Sequence, residues 1–207
     1  MKSFHTEILT ENQKKLLPLI KDFSKNYFLV GGTAIALHIG HRYSIDFDLF
    51  TNKTVYPAVI KKKIYGKKYK IEKHLYEEEG QAHYIIGGVK ITFYSYPYIL
   101  KNFTKFSDII RIPDLLTLSA MKVFAISERN KWKDYVDLYY IFREHFTIEQ
   151  VIEKTKELFS EYNDRLFFEQ LAYFDDIDYS EKVEYTGKEP STKEIKNFLK
   201  SLSLKTF

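Results

Sequence analysis

Asp46 and Asp48, one residue apart in the stretch SIDFDLF, are the side chains whose type and spacing point most directly to chemistry. Residues two apart in a strand share a face, about 6.5–7 Å apart along the chain. Two carboxylates placed so can converge on a hard cation, which prefers oxygen ligands, and leave coordination positions for water and phosphate. A Mg2+ site for phosphoryl chemistry has this form, and two metals about 3.5–4 Å apart can activate an attacking oxygen and stabilise a leaving pyrophosphate. The complement lies upstream. Gly31 and Gly32 end an apolar run and open a helix, where free backbone N–H groups and the helix dipole favour a phosphate, and Thr33 adds a hydroxyl at the turn. A D-x-D alone is weak, because alternating strands with two exposed acids are common. Strand, glycine turn, short helix and D-x-D strand in succession carry more.

These residues need elements to position them. TENQKKLLPLIKDFSKN reads as a helix from about residue 10, with Thr10 as its cap and Leu16, Leu17, Ile20 and Phe23 on one stripe. YFLVGG is a short buried strand and TAIALHIG a short helix closed by Gly40. In SIDFDLF, Ile45, Phe47 and Leu49 face one way and Asp46 and Asp48 the other. A lysine-rich helix is expected over about residues 54 to 65. Strands follow in KYKIEKHLYEE, QAHYIIGG and VKITFYSY, with Gly87-Gly88 as a tight turn between the last two. From Pro113 the periodicity is helical, over 113–129, 131–145, 148–161, 164–174 and 191–203. The reading is an α+β fold: an α/β domain over 1–110, with a mixed sheet flanked by helices, and a helical C-terminal domain over 111–207.

A second constellation lies in the helical part. Leu115, Leu118, Lys122 and Ala125 share a stripe, and a lysine on an apolar stripe costs free energy unless it snorkels or meets an anion. A triphosphate satisfies it; so does a structural carboxylate. Asp134 and Asp137 lie on one face of the next helix, where Lys133 reaches Asp137 at i, i+4. That arrangement reads equally as a site or as a helix-surface ion pair. Arg42 can clamp a phosphate bidentately or brace Asp46 or Asp48, and His41 reads as a loop histidine.

Composition narrows the classes. Hydrophobic residues make up 44% and aromatics 17%, which excludes a disordered chain. There is no cysteine, so disulfides, zinc–thiolate sites and cysteine nucleophiles are excluded. The histidines show no zinc spacing, and there is no P-loop, dinucleotide fingerprint or nucleophile elbow. Neither a signal-peptide core nor an apolar run approaching transmembrane length is visible, so a cytoplasmic protein without a membrane partner is expected. The net charge is +4, with seven lysines in KKKIYGKKYKIEK and an acidic stretch at 175–189. The lysines read as a solubilising face or, with Tyr65, Tyr69 and Ile71 between them, as a surface that tracks phosphates.

Gly32-Thr33, twelve intervening residues and Asp46-Phe47-Asp48 resemble the G-[GST]…D-x-D signature of the nucleotidyltransferase superfamily related to DNA polymerase β. The wider spelling GGTAIALHIGHRYSIDFDLF, VKITFYSYPY and PDLLTLSAMKVFAISERNKWKDYVDLYYI is similar to the AbiEii/AbiGii toxin branch, over roughly residues 26 to 143. The resemblance implies nucleotide transfer from an NTP with Mg2+. Some members are abortive-infection, antiphage toxins that modify RNA such as tRNA, which implies a toxin–antitoxin setting with a cognate antitoxin. It further implies that Gly32 and Thr33 hold the triphosphate, that Asp46 and Asp48 bind the metal, and that Lys122, Lys133, Asp134 and Asp137 complete the site; from the turn and loop as read above, Gly31 and Arg42 join the nucleotide-binding residues. One departure stands out: where many members carry a third carboxylate on a later strand, VKITFYSY has Thr92. Either Asp137 or Asp134 substitutes for that acid in catalysis, or a degenerate fold binds nucleotide or a partner without turnover. A glycosyltransferase D-x-D leaves the glycine turn unexplained.

Overall fold

The structure is a computed structural model that describes residues 4–127 and 129–204. The chain forms two compact units, 1–114 and 115–207.

In the first unit Thr10 starts helix α1 (Glu11–Phe23) through a capping box. Its hydroxyl accepts from the Gln13 amide at 3.2 Å, and Gln13 Oε1 accepts from the Thr10 amide at 3.0 Å. Leu16, Leu19, Ile20 and Phe23 form the buried stripe, joined by Gln13; the expected Leu17 is only half-buried. Strand β1 (Phe28–Val30) leads into α2 (Gly31–Ile39), which Gly40 ends in the left-handed conformation. Then come β2 (Phe47–Thr51), α3 (Pro57–Gly66), β3 (Lys73–Glu78), β4 (Gln81–Ile86), β5 (Val89–Ser95), β6 (Phe103–Phe106) and β7 (Ile110–Pro113). Helix α3 opens at Pro57, where the fixed φ of proline suits a first helical position.

The strands form one seven-stranded mixed sheet in the order β3-β4-β5-β2-β1-β7-β6. β2 pairs parallel with β5 and antiparallel with β1, and β1 pairs parallel with β7. Because side chains alternate along each strand, the sheet has two characters. Phe47, Leu49, Ile91, Phe93, Ala82 and Tyr84 are all fully buried on one face, where Phe23 of α1 packs 4.8 Å from the ring of Phe93. The opposite face carries a row in register, Asp48–Thr92–His83–Tyr76, from β2 to β3.

Two expectations change here. β2 starts at Phe47, so Ile45 lies outside the alternation and is 64% exposed, while Asp46 sits just ahead of the strand. The hairpin β6–β7 was not foreseen, and Pro113 ends a strand where a helix start was expected. Its strands are only four residues long, too short for periodicity to mark them.

The second unit holds α4 (Leu115–Ile126), α5 (Trp132–Glu144), α6 (Ile148–Leu158), α7 (Asp164–Ala172) and α8 (Thr192–Ser203). Side-chain caps from Thr147, Asn163 and Ser191 start the last three. Phe124 stacks on Phe159 at 4.2 Å, and Tyr139 donates to Glu194 at 2.5 Å to tie α5 to α8. Part of the acidic stretch folds onto the start of α5: Asp178 accepts from the Trp132 amide at 3.0 Å and donates to the Asn130 carbonyl at 2.7 Å. No helix among the described residues is long and apolar enough to cross a membrane.

Candidate active site

The turn from β1 into α2 is built around two carbon atoms that are absent. A Cβ on Gly31 lies 2.2 Å from Asp48 Oδ2, and Gly31 has φ +74°, so both space and backbone require glycine. A Cβ on Gly32 lies 2.4 Å from Arg42 Nη2 and 3.3 Å from Ser44 Oγ. The register Val30↔Asp48 between β1 and β2 creates this closeness. It brings the Asp48 carboxylate to the N-terminal end of α2, where unpaired amides and the helix dipole favour negative charge.

Thr33 serves the same corner from inside. It is 1% exposed, its hydroxyl donates to the Asp46 carbonyl, and its Oγ1 lies 2.9 Å from Ser44 Oγ. Gln13 Nε2 donates to the same carbonyl at 3.4 Å. The backbone at Asp46 is thereby pinned from α2 and from α1, while Asp46 and Asp48 both keep partial exposure. Arg42 is buried at 3% exposure and donates from Nη1 to the Tyr43 carbonyl at 3.0 Å. Gly31, Gly32, Thr33, Arg42, Asp46 and Asp48 therefore converge in one corner of the first unit.

The donor set there fits Mg2+. Two carboxylates are what such an ion takes when phosphates and water complete its shell. Among the described residues no group of three or more His, Asp or Glu is arranged to hold a metal. Directly across from Asp48 on β5 is Thr92, 7% exposed.

Lys122, Asp134 and Asp137 form a cluster within the second unit. Lys122 Nζ lies 2.5 Å from Asp134 Oδ1 and 3.0 Å from Asp137 Oδ2, with Lys122 4% exposed and both acids fully buried. Arg129 adds contacts to Asp134 of 2.9 Å through Nε and 3.3 Å through Nη2. Burial works against the Asp134 carboxylate, but the charges of Lys122 and Arg129 outweigh it and hold its pKa below the ordinary value. Asp137, read above as a helix-surface partner of Lys133, lies in a buried network with Lys122. Lys133 is paired with Glu181, which also takes Lys131.

Ser44, Gln13, Arg129 and Glu181 were not singled out by motif reading. Ser44 and Gln13 are recognisable only once the Asp46 carbonyl needs a partner, and Glu181 pairs with lysines about 50 positions earlier in the chain.

A mixed sheet in which strand, glycine turn and helix face a D-x-D strand defines a nucleotidyltransferase fold. The family described as Nucleotidyl transferase AbiEii toxin, Type IV TA system, matches residues 19–206, and the chain belongs to it. An uncharacterised protein of Aquifex aeolicus (strain VF5) is 31% identical over 180 residues, 84% of this chain and 85% of that protein. Among solved structures, JHP933 from Helicobacter pylori superposes with a TM-score of 0.59 at 18% identity, over 95% of this chain and 92% of that one. MenT4, a nucleotidyltransferase toxin of Mycobacterium tuberculosis H37Rv, superposes with a TM-score of 0.56 at 12% identity, over 89% of this chain and 77% of that one.

Proposed function

We propose that this protein is a Mg2+-dependent nucleotidyltransferase that moves a nucleotidyl group from an NTP to an acceptor, with RNA as the acceptor class. The observation that carries the reading is the apposition of Asp48 Oδ2 and Gly31: a carboxylate is held at a helix N-terminus that suits a phosphate. In this reading Asp46 and Asp48 hold Mg2+, which supplies charge neutralisation on the triphosphate when bound. The α2 amides at Gly31 and Gly32 cradle the phosphates, Arg42 braces the corner, and Thr33 keeps Asp46 in place.

Lys122, Lys133, Asp134 and Asp137 enter the proposal from the family likeness. Lys122 pairs with Asp134 and Asp137, and Lys133 with Glu181, which gives them a structural role that any nucleotide role has to coexist with. An RNA acceptor draws support from the lysine-rich segment. Lys61 and Lys67 are paired with Glu77 and Asp22 at 2.7 and 2.9 Å, and Lys63 donates to the Asp22 carbonyl. Lys62, Lys68 and Lys70 are exposed, and the last two line a groove with Lys15 and Tyr69. The family description supports a cognate antitoxin as the genetic partner.

Thr92 opposite Asp48 favours a second reading, a nucleotide-binding module without turnover. Pyrophosphate release separates the two. The protein is incubated with each NTP, Mg2+ or EDTA, and total bacterial RNA. Release that needs both Mg2+ and Asp48, lost in Asp48→Asn, supports the transferase. Mg2+-dependent NTP binding with no release supports the module.

A further inference from the structure

Thr92 leaves the row beside Asp48 without an acid, and a threonine hydroxyl does not take a proton near neutral pH. The next side chain along that row is His83 on β4, which is Thr92's register partner and faces the same side. Its surroundings select one tautomer. Gln81 Nε2 donates to Glu78 Oε1 at 2.6 Å, which orients the amide and turns Gln81 Oε1 toward His83 Nε2 at 3.3 Å. An amide oxygen only accepts, so Nε2 carries the hydrogen and Nδ1 keeps its lone pair. The Tyr76 ring stands edge-on to the imidazole at 5.8 Å and 71° and fixes its plane. A base oriented by an amide, itself oriented by a carboxylate, follows the logic by which catalytic bases are held.

The ionisable groups around the ring are Lys90 on β5, Asp48 on β2, and Tyr76 and Glu78 on β3. Burial, then the charge of Lys90, lowers the imidazole pKa below its usual 6.5, with Asp48 opposing. The ring is therefore neutral at pH 7 and able to accept a proton.

We infer that His83 is the general base of the transfer reaction and that the acceptor hydroxyl sits over Thr92, between Asp48 and His83. The inference rests on the nucleotidyltransferase reading. In the step, the acceptor O–H bond breaks and its proton goes to Nδ1 of His83. The oxygen's electron pair forms the bond to the α-phosphorus of the NTP. The bond from that phosphorus to the bridging oxygen breaks, and pyrophosphate leaves with the electron pair. The imidazolium then returns its proton to water.

The test uses the full chain with α-labelled NTP, Mg2+ and total bacterial RNA, comparing wild type, His83→Ala, His83→Gln and Asp48→Asn. Positioned acid–base groups contribute about 10²–10⁴-fold. Both His83 variants are expected to lose kcat on this scale, with KM for NTP within about threefold. Imidazole added to His83→Ala restores part of the rate, whereas His83→Gln, which fills the space, responds less. The wild-type rate rises with pH through an inflection below 6.5 that both variants lack. A kcat within threefold of wild type in both His83 variants, or an unchanged inflection, overturns the base assignment while the transferase stands. Wild-type label transfer that survives Asp48→Asn overturns the underlying site instead. No transfer by wild type overturns both.

Discussion

Asp48 and Thr92 face each other in register across the parallel strands β2 and β5. At strand spacing of about 4.8 Å, an acid at residue 92 would add a second negative charge beside Asp48 for a shared ion, which a neutral threonine hydroxyl does not. Thr92→Asp is expected to lower the Mg2+ concentration for half-saturation about tenfold, equivalent to ~1.4 kcal/mol. Titration calorimetry with a non-hydrolysable NTP reads the change. An unaltered midpoint places residue 92 away from the ion.

Gly31 sits at φ +74° with its Cα against the Asp48 carboxylate. Gly31→Ala forces a side chain into a left-handed position, at about 1–3 kcal/mol, and pushes Asp48 aside. The expected result is a lower urea midpoint together with lost Mg2+-dependent NTP binding. Retained binding at wild-type affinity contradicts the packing described for this turn.

Lys122 is the cation on which Asp134 and Asp137 converge in the second unit. Lys122→Met leaves buried acids under-compensated and is expected to cost about 3–5 kcal/mol in equilibrium unfolding. Adding Asp134→Asn and Asp137→Asn recovers part of that loss, because the uncompensated charges go with the lysine. A single-variant cost below about 1 kcal/mol means that the pair behaves like an exposed one.

Glu181 links the acidic stretch to Lys131 and Lys133. Burial raises its pKa, but hydrogen bonds and charges from the two lysines outweigh this and bring it from 4.5 to about 2. Between those values the folded chain binds fewer protons at this site than the unfolded chain. The contribution is thus complete above the unfolded pKa and is lost as pH falls toward about 2. Asp134, held below 3.8, acts in the same direction. Unfolding midpoints across pH 2 to 6 should fall less steeply with acid in Glu181→Gln than in wild type; identical slopes remove Glu181 from the balance.

The elements of the site were legible because each rests on local rules. Thr10 with Gln13, Gly40 after α2 and the alternation of Phe47, Asp48 and Leu49 are statements about neighbours in sequence. The family likeness added the roles proposed for Gly32, Asp46 and Asp48. What stayed hidden depends on register. Nothing near His83 marks it, and inspection of the histidines for metal spacing passes over it; only the pairing of β2, β5 and β4 sets it in the row with Asp48. Likewise Asp137 reads in sequence as either a site residue or a surface partner of Lys133, because periodicity shows which residues share a face but not whether that face is covered. The four-residue strands β6 and β7 are too short for alternation to separate them from loop.

The central claim is that Asp46 and Asp48 operate a nucleotidyl transfer. Its most direct measurement is incubation of the protein with Mg2+, total bacterial RNA and each NTP labelled in turn at the α and the γ phosphate, beside Asp46→Asn and Asp48→Asn. The account predicts that RNA gains the α label and never the γ label, and that both variants lose the transfer. Transfer of the γ label, or α-label transfer that survives in both variants, contradicts it.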